Sequence, residues 1–169
     1  MSSKKIVQLV VRALIVEDDH LLVSRWQDSY CFLIGGRLEH GETLEEGLLR
    51  EIDEELGIPA QVLKGVYFHE NFYESGKRAF HELGWTFWVK PLGAVPAPGE
   101  RMPNPDSEDL WTEFVPLADL PAEHIYPRFL ASYLAADLAA DFAENPRHIV
   151  SYEAPDRTPP YQELERRHG

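Results

Sequence analysis

The residues best suited to chemistry lie in one stretch, positions 36–58, GRLEHGETLEEGLLREIDEELGI. Glu51, Glu54 and Glu55 fall at i, i+3 and i+4, the spacing that gathers side chains on one helical face. Like charges this close destabilise a helix by roughly a few tenths of a kcal/mol per pair. A divalent cation removes that penalty, and an all-oxygen set suits Mg²⁺ or Mn²⁺, ions that keep waters and bind substrate phosphates. Arg50, four residues before Glu54, can fix one carboxylate by a two-point pair. Gly47 lies one turn before Glu51, where a missing side chain leaves room for metal and phosphate oxygens. A solvated acidic helix face is the plainer reading of such a run. The glycines at 35–36, 41 and 57 weigh against it, because each has a separate geometric use.

The carboxylates need a helix to carry them, and the pattern supplies one over residues 43–56. Thr43 is an N-cap with Glu46 three residues on, a capping-box arrangement, and Gly57 closes the far end. Leu48, Leu49, Ile52 and Leu56 gather on an apolar face that should pack on a sheet. At about 100° per residue Glu55 falls nearest that apolar edge, so it should be the least exposed of the three acids.

Before the helix, residues 6–16 alternate like a strand, 17–19 turn and 20–25 return, and the apolar run 31–34 stops at Gly35-Gly36. After it, 62–73 and 78–89 read as a long hairpin around a four-residue turn, 74–77. Residues 91–105 are a loop rich in proline and glycine, and a strand follows from Trp111. Residues 127–142 form an amphipathic helix, and the chain is irregular from about 146 apart from a strand at 148–152. Strands flanked by two well-separated helices imply a single α/β domain over residues 1–169, built on a mixed sheet.

The segment resembles the signature of the Nudix hydrolase family. Gly36, Glu42, Arg50, Glu51, Ile52, Glu54, Glu55, Gly57 and Ile58 fill its defined positions. Gly47 departs mildly, since family members more often carry alanine there. The resemblance implies an α/β/α sandwich with a mixed β-sheet. It implies that the loop and helix, Gly36 included, hold Mg²⁺ through Glu51 and Glu55, with Glu54 also near the metal. It implies a substrate in which a nucleoside diphosphate is linked to another group, with a metal-activated water attacking one phosphorus. Cations there neutralise diphosphate charge and lower the pKa of bound water. Family members often draw the general base from the loop before the strand that here begins near Trp111. Glu108 is the preferred candidate, with Glu54 its rival.

On the hairpin, a four-residue turn sets His69 opposite Glu82 and Asn71 opposite Phe80. Tyr67, His69, Asn71 and Tyr73 then share a face with Phe80, Glu82, Gly84 and Thr86. Asn71 and Glu82 on that mixed face, with Arg37 from the loop, are the candidate substrate contacts; an edge ribbon or homodimer contact is the alternative. The doublets His69-Glu70 and His81-Glu82 sit on strands without the His-Glu-x-x-His continuation, which argues against zinc.

Composition narrows the partners. Net charge is −13, from 29 acidic and 16 basic residues. Such a chain is repelled by polymeric nucleic acid and by anionic membranes; a small nucleotide-like diphosphate is the partner that the resemblance implies, and divalent cations would offset the repulsion locally. The single cysteine, Cys31, excludes an intrachain disulfide and fits a cytoplasmic setting. Two other activities compete with hydrolysis: a non-catalytic Nudix-like module that senses a nucleotide, and an isomerase of isoprenoid diphosphates. The first would have no need of a complete glutamate set. The second needs a reactive cysteine, whereas Cys31 lies in an apolar run. A nucleotide sugar such as ADP-ribose and a nucleoside triphosphate both remain open as substrates.

Overall fold

The structure is a computed structural model and describes residues 3–152 and 161–163. In chain order its elements are β1 (Lys4–Leu14), β2 (Val16–Glu17), β3 (His20–Trp26), β4 (Cys31–Phe32), β5 (Ile34–Arg37), α1 (Leu44–Leu56), β6 (Ala60–Ser75), β7 (Arg78–Pro91), β8 (Met102–Asn104) and β9 (Ser107–Pro116). A 3₁₀ turn (Leu117–Ala122), β10 (Ile125–Tyr126), α2 (Leu130–Ala139), β11 (Arg147–Tyr152) and β12 (Tyr161–Glu163) complete them. One sheet runs β12-β11-β6-β7-β1-β5 and a second runs β10-β4-β3-β9-β8, with β2 paired to β3. The first is mixed: β1–β7 and β11–β6 are parallel, while β6–β7 and β1–β5 are antiparallel.

The alternation of β1 builds two cores. Val11, Ala13 and Ile15 join Leu48, Ile52 and Leu56 of α1 on one side. Leu14 joins Leu130 and Leu134 of α2 on the other, beside Tyr67 and Phe129. A strand that sends successive side chains to opposite faces thus places one helix on each side of the sheet, as the α/β/α reading requires. The α2 side is locked by a buried ion pair. Asp137 accepts from Arg147 at 2.6 Å and from the Tyr67 hydroxyl at 2.8 Å, which ties α2 to β6 and β11. No helix among the described residues is long and apolar enough to cross a membrane.

Several expectations change. Ser75 pairs with Arg78, so the hairpin turn has two residues, with Gly76 at φ +59°. The register moves by two: His69 faces Gly84 and Asn71 faces Glu82. Because side chains alternate with period two, the residues expected to share a face still share it. The loop from 91 is shorter than its composition implies, since β8 pairs with β9, and Glu108 lies within β9. The apolar run 31–34 divides between the two sheets as β4 and β5. α2 ends at Ala139, where Asp141 and Phe142 adopt positive φ. The strand expected at 148–152 is present as β11 and pairs with β6 through its whole length; most of the remaining tail lies outside the described residues.

On α1 the buried positions are Gly47, Leu48, Ile52 and Leu56, whereas Leu49 is 38% exposed. Leu48→Ala should therefore cost about 2–5 kcal/mol of stability through lost burial and a residual cavity. Leu49→Ala should cost about 1 kcal/mol or less. Urea unfolding of both variants checks the assignment, and equal losses would overturn it.

Candidate functional site

The site is built on the entry to α1. Thr43 accepts from the Glu46 amide at 3.2 Å, and the Glu46 carboxylate accepts from the Thr43 amide at 2.7 Å, so both arms of the capping box are present. At the other end Gly57 takes the left-handed conformation, φ +65°, and donates to Asp53. These caps fix where the helix starts and stops, and so where Glu51, Glu54 and Glu55 stand.

Arg50 organises the carboxylates around it. Its Nε and Nη2 donate to the two oxygens of Glu42 at 2.5 and 3.2 Å, its Nη1 reaches Glu51 at 3.0 Å and Glu54 at 3.2 Å, and Nη2 also donates to the Arg37 carbonyl at 3.0 Å. The two-point partner is thus Glu42, a loop residue, rather than Glu54. The Arg50 hydrogen bond, with a second from the Glu39 amide, holds the Glu42 carboxyl below the usual range. The same partners push the Arg50 pKa up.

Gly36 and Glu51 are in close apposition. A Cβ at Gly36 would stand 2.4 Å from a Glu51 carboxylate oxygen, so any side chain there would evict the carboxylate. Gly36 thus supplies space. Its carbonyl follows strand alternation toward β1, while the outward carbonyls of this edge strand are already held: Arg12 donates to those of Leu33 and Gly35 at 3.3 and 3.1 Å, and Arg50 to that of Arg37. Gly47 does not open the site to ligand as its position suggested. Leu38 and the Glu42 carboxylate fill that space, 2.6 and 2.9 Å from where a Cβ would be.

Glu54 is more open than Glu51, 48% exposed against 13%. Glu55 has one carboxylate oxygen fully buried with no hydrogen-bond partner. Burial pushes its pKa up to about 7; Arg12 opposes that shift, and Glu51 and Asp106 reinforce it. A buried anionic oxygen without a donor is what a cation ligand looks like, and oxygen-only donors fit a hard ion such as Mg²⁺. Among the described residues, no three His, Cys, Asp or Glu side chains converge closely enough to hold a metal as they stand. Glu51 and Glu54 point to Arg50, and chelation by all three acids requires rotation away from it.

Glu108 is exposed on β9, among the residues bulged out between the Pro103–Trp111 and Asn104–Ser107 pairs. Asp109 accepts from Gln27 at 3.1 Å. The sequence reading missed Asp106, in the β8–β9 turn, which lies near enough to Glu55 to raise its pKa. It also missed Arg12, whose site role has no local signal because it arrives from a core strand. Glu42 was legible as a motif position, though not as the partner of Arg50.

Arg37, Asn71 and Glu82 come to one face of the first sheet. Arg37 pairs with Val10, two residues from Gln8, which pairs with Glu82, which pairs with Asn71. Part of the mixed hairpin face is unavailable to ligand, because Tyr67 and His69 are buried under Phe129 of the α2 side. Burial lowers the His69 pKa to about 4, and its Nε2 pairs with the Ser151 hydroxyl at 2.7 Å. Arg25 is buried between Glu113 and Glu123, and Lys64 donates to the Phe142 carbonyl, so both cations are engaged within the fold. Cys31 is fully buried, and burial raises its thiol pKa to about 11, so it is an inert core thiol.

The Glu55 shift has a consequence for stability. A carboxyl raised from 4.5 to about 7 on folding stabilises the fold below pH 4.5, and that contribution is lost as pH rises through 7. The full loss is up to about 3 kcal/mol. Glu55→Gln should remove this dependence, gaining stability relative to the parent between pH 5 and 8 (a range of about 3 pH units). Denaturant unfolding across that range checks it; parallel curves for the two proteins would refute the buried-acid assignment.

Comparison with known proteins agrees with this geometry. The family model described as NUDIX domain matches residues 7–134. ADP-ribose pyrophosphatase of Methanocaldococcus jannaschii is 34% identical over 114 residues, covering 63% of this chain and 61% of that protein. Human 8-oxo-dGDP phosphatase NUDT18 is 25% identical over 158 residues, covering 90% of this chain and 45% of that protein. The chain thus spans about half the length of these curated relatives. The solution structure of the E. coli ORF135 protein superposes with a TM-score of 0.58 at 26% identity, covering 81% of this chain and 94% of that one. The signature residues on α1, the sandwich around them and the match across most of the sequence lead to one conclusion: the chain belongs to the NUDIX domain family.

Proposed function

We propose that this chain is a metal-dependent pyrophosphohydrolase that cleaves the diphosphate linkage of a nucleoside diphosphate derivative, either a nucleotide sugar such as ADP-ribose or a nucleoside triphosphate. The observation that carries this reading is the pairing of a glycine cradle around Glu51 with a buried, unpartnered oxygen on Glu55. The relative named as an ADP-ribose pyrophosphatase supports the reaction class. Glu51 and Glu55, with Glu54 beside them, would hold Mg²⁺, or Mn²⁺ in its place. Bound there, the ion supplies charge neutralisation on the diphosphate and an acidified water.

The chain's own residues do the rest. Arg50 gathers Glu42, Glu51 and Glu54 around one guanidinium, and Glu51 and Glu54 would turn from it to take up the ion. Arg37, exposed at the end of the edge strand β5, offers a cation to a phosphate at that edge of the sheet. Glu108 is the proposed general base: it is exposed and lies in the bulge of β9, two residues from Asp106, which approaches Glu55. Asp106 competes for that role from the adjoining turn, and Glu54 from the helix. The small anionic substrate is consistent with the acidic chain, because bound cations offset repulsion locally.

Glu51→Gln and Glu55→Gln should each lower turnover by about a hundredfold or more at saturating Mg²⁺, with the fold retained. Near-native turnover in either would refute the ligand assignment. Glu108→Gln should lower kcat about a hundredfold with little change in KM, since a base acts in the transition state. If Asp106→Asn or Glu54→Gln shows that loss while Glu108→Gln keeps full kcat, the base lies on the turn or the helix.

A further inference from the structure

The pairing of four adjacent strands aligns one polar row. Ser151 of β11 pairs with Asn71 of β6, Asn71 with Glu82 of β7, and Glu82 with Gln8 of β1. All four side chains therefore project from the same face of the sheet, beyond the region that Phe129 covers. Polar side chains in consecutive register across a sheet usually satisfy one another, and part of this row does. Gln8 Nε2 donates to Glu82 Oε2 at 2.5 Å, and the Tyr73 hydroxyl donates to the same oxygen at 3.3 Å. Ser151 is occupied by His69.

Two acceptors are left over. Asn71 Oδ1 is buried and has no hydrogen-bond partner. Glu82 receives both of its donors on Oε2, which leaves Oε1 to accept from another group. A buried amide oxygen without a donor costs about 1–3 kcal/mol, a penalty that a ligand donor relieves. Asn71 and Glu82 are directly opposed, so their Cβ atoms are about 5 Å apart. One row nearer the turn, Tyr73 and Phe80 stack with ring centroids 4.8 Å apart and planes 11° from parallel, a flat apolar flank beside the acceptors. Glu82 lies two strands from β5, about 10 Å across the sheet, on the α2 face that also carries Arg37, and β5 is the edge strand at which this face meets the α1 side. A nucleoside diphosphate spans such a distance.

We infer that Asn71 and Glu82 read the base of the substrate, and that they select a guanine nucleotide. The inference rests on the diphosphate-cleaving reading above and deepens it. Two adjacent acceptors require two adjacent donors. Guanine presents N1–H and the 2-amino group side by side. Adenine sets its amino group next to the acceptor N1, cytosine sets its amino group next to the acceptor N3, and uracil sets its one N–H between two carbonyls. Each of these would place an acceptor against Asn71 or Glu82. Gln8 and Tyr73 act as positioning residues that hold the Glu82 carboxylate in place.

The test is equilibrium binding of GDP, ADP, UDP and CDP to the full chain without divalent metal, by titration calorimetry, with melting temperature as the folding control. GDP should bind at least about tenfold more tightly than the other three, because a site built for hydrogen-bond donors rejects ligands that lack them. Glu82→Gln and Asn71→Leu should each reduce that preference to about twofold or less, and Gln8→Leu should weaken it while leaving GDP the best ligand. Equal affinities, a preference for another base, or no binding of GDP at millimolar concentration would overturn the inference. Binding is read without turnover, so the two proposals separate. Base-selective binding with no Mg²⁺-dependent cleavage would refute the hydrolase alone, and cleavage without base preference would refute the reading of Asn71 and Glu82 alone.

Discussion

The constraint on which the candidate site depends is electrostatic: a single helix carries Glu51, Glu54 and Glu55 on neighbouring positions, and Glu42 is brought beside them. Arg50 makes this arrangement tenable. Its planar guanidinium reaches Glu42, Glu51, Glu54 and the Arg37 carbonyl together, a geometry that a lysine ammonium could not reproduce. Glu55 is outside its reach, and the consequence is visible in its buried, partnerless oxygen and raised pKa. The acid that Arg50 does not neutralise is the one most in need of a cation.

The glycines serve this constraint through sterics. Gly36 brings the β5 backbone against the Glu51 carboxylate, and Gly47 admits Leu38 and Glu42 beside the helix. At Gly36 a methyl group would displace the Glu51 carboxylate, whereas at Gly47 it would press on the side-chain ends of Leu38 and Glu42. Gly35 is a different case: at φ +140° it takes a backbone conformation that side chains avoid, and a Cβ there would stand 2.0 Å from the Val11 carbonyl. Arg12 then ties the outward carbonyls of this strand, so the loop side of the site is fixed from a core strand and the helix side from Arg50.

The sheet decides how the remainder is shared out. Alternation along β1 sends one set of apolar residues to α1 and the other to α2, and the same alternation places Gln8 in register with Glu82 and Asn71. Tyr67 and His69 share that face and are lost to the core because Phe129 covers them. Face identity was therefore not enough to say which polar groups a ligand can reach.

The sequence by itself determined whatever depends on neighbours in the chain. The helix from its capping box, the common face of Glu51, Glu54 and Glu55, the family signature and the sharing of a face by Asn71 and Glu82 all follow from periods of 3.6 and 2 and from local caps. The two-residue error in hairpin register left those faces unchanged for the same reason. Only the tertiary structure decided which carboxylate Arg50 clasps, that Gly47 is filled by Leu38, that Leu49 is exposed, and that Arg12 and Asp106 approach Glu55. Each of these depends on which distant segment packs against α1, and side chains separated by tens of residues carry no local signal of their meeting. The pairing of β11 with β6, which brings Ser151 beside Asn71, is likewise a long-range contact that periodicity within either strand cannot specify.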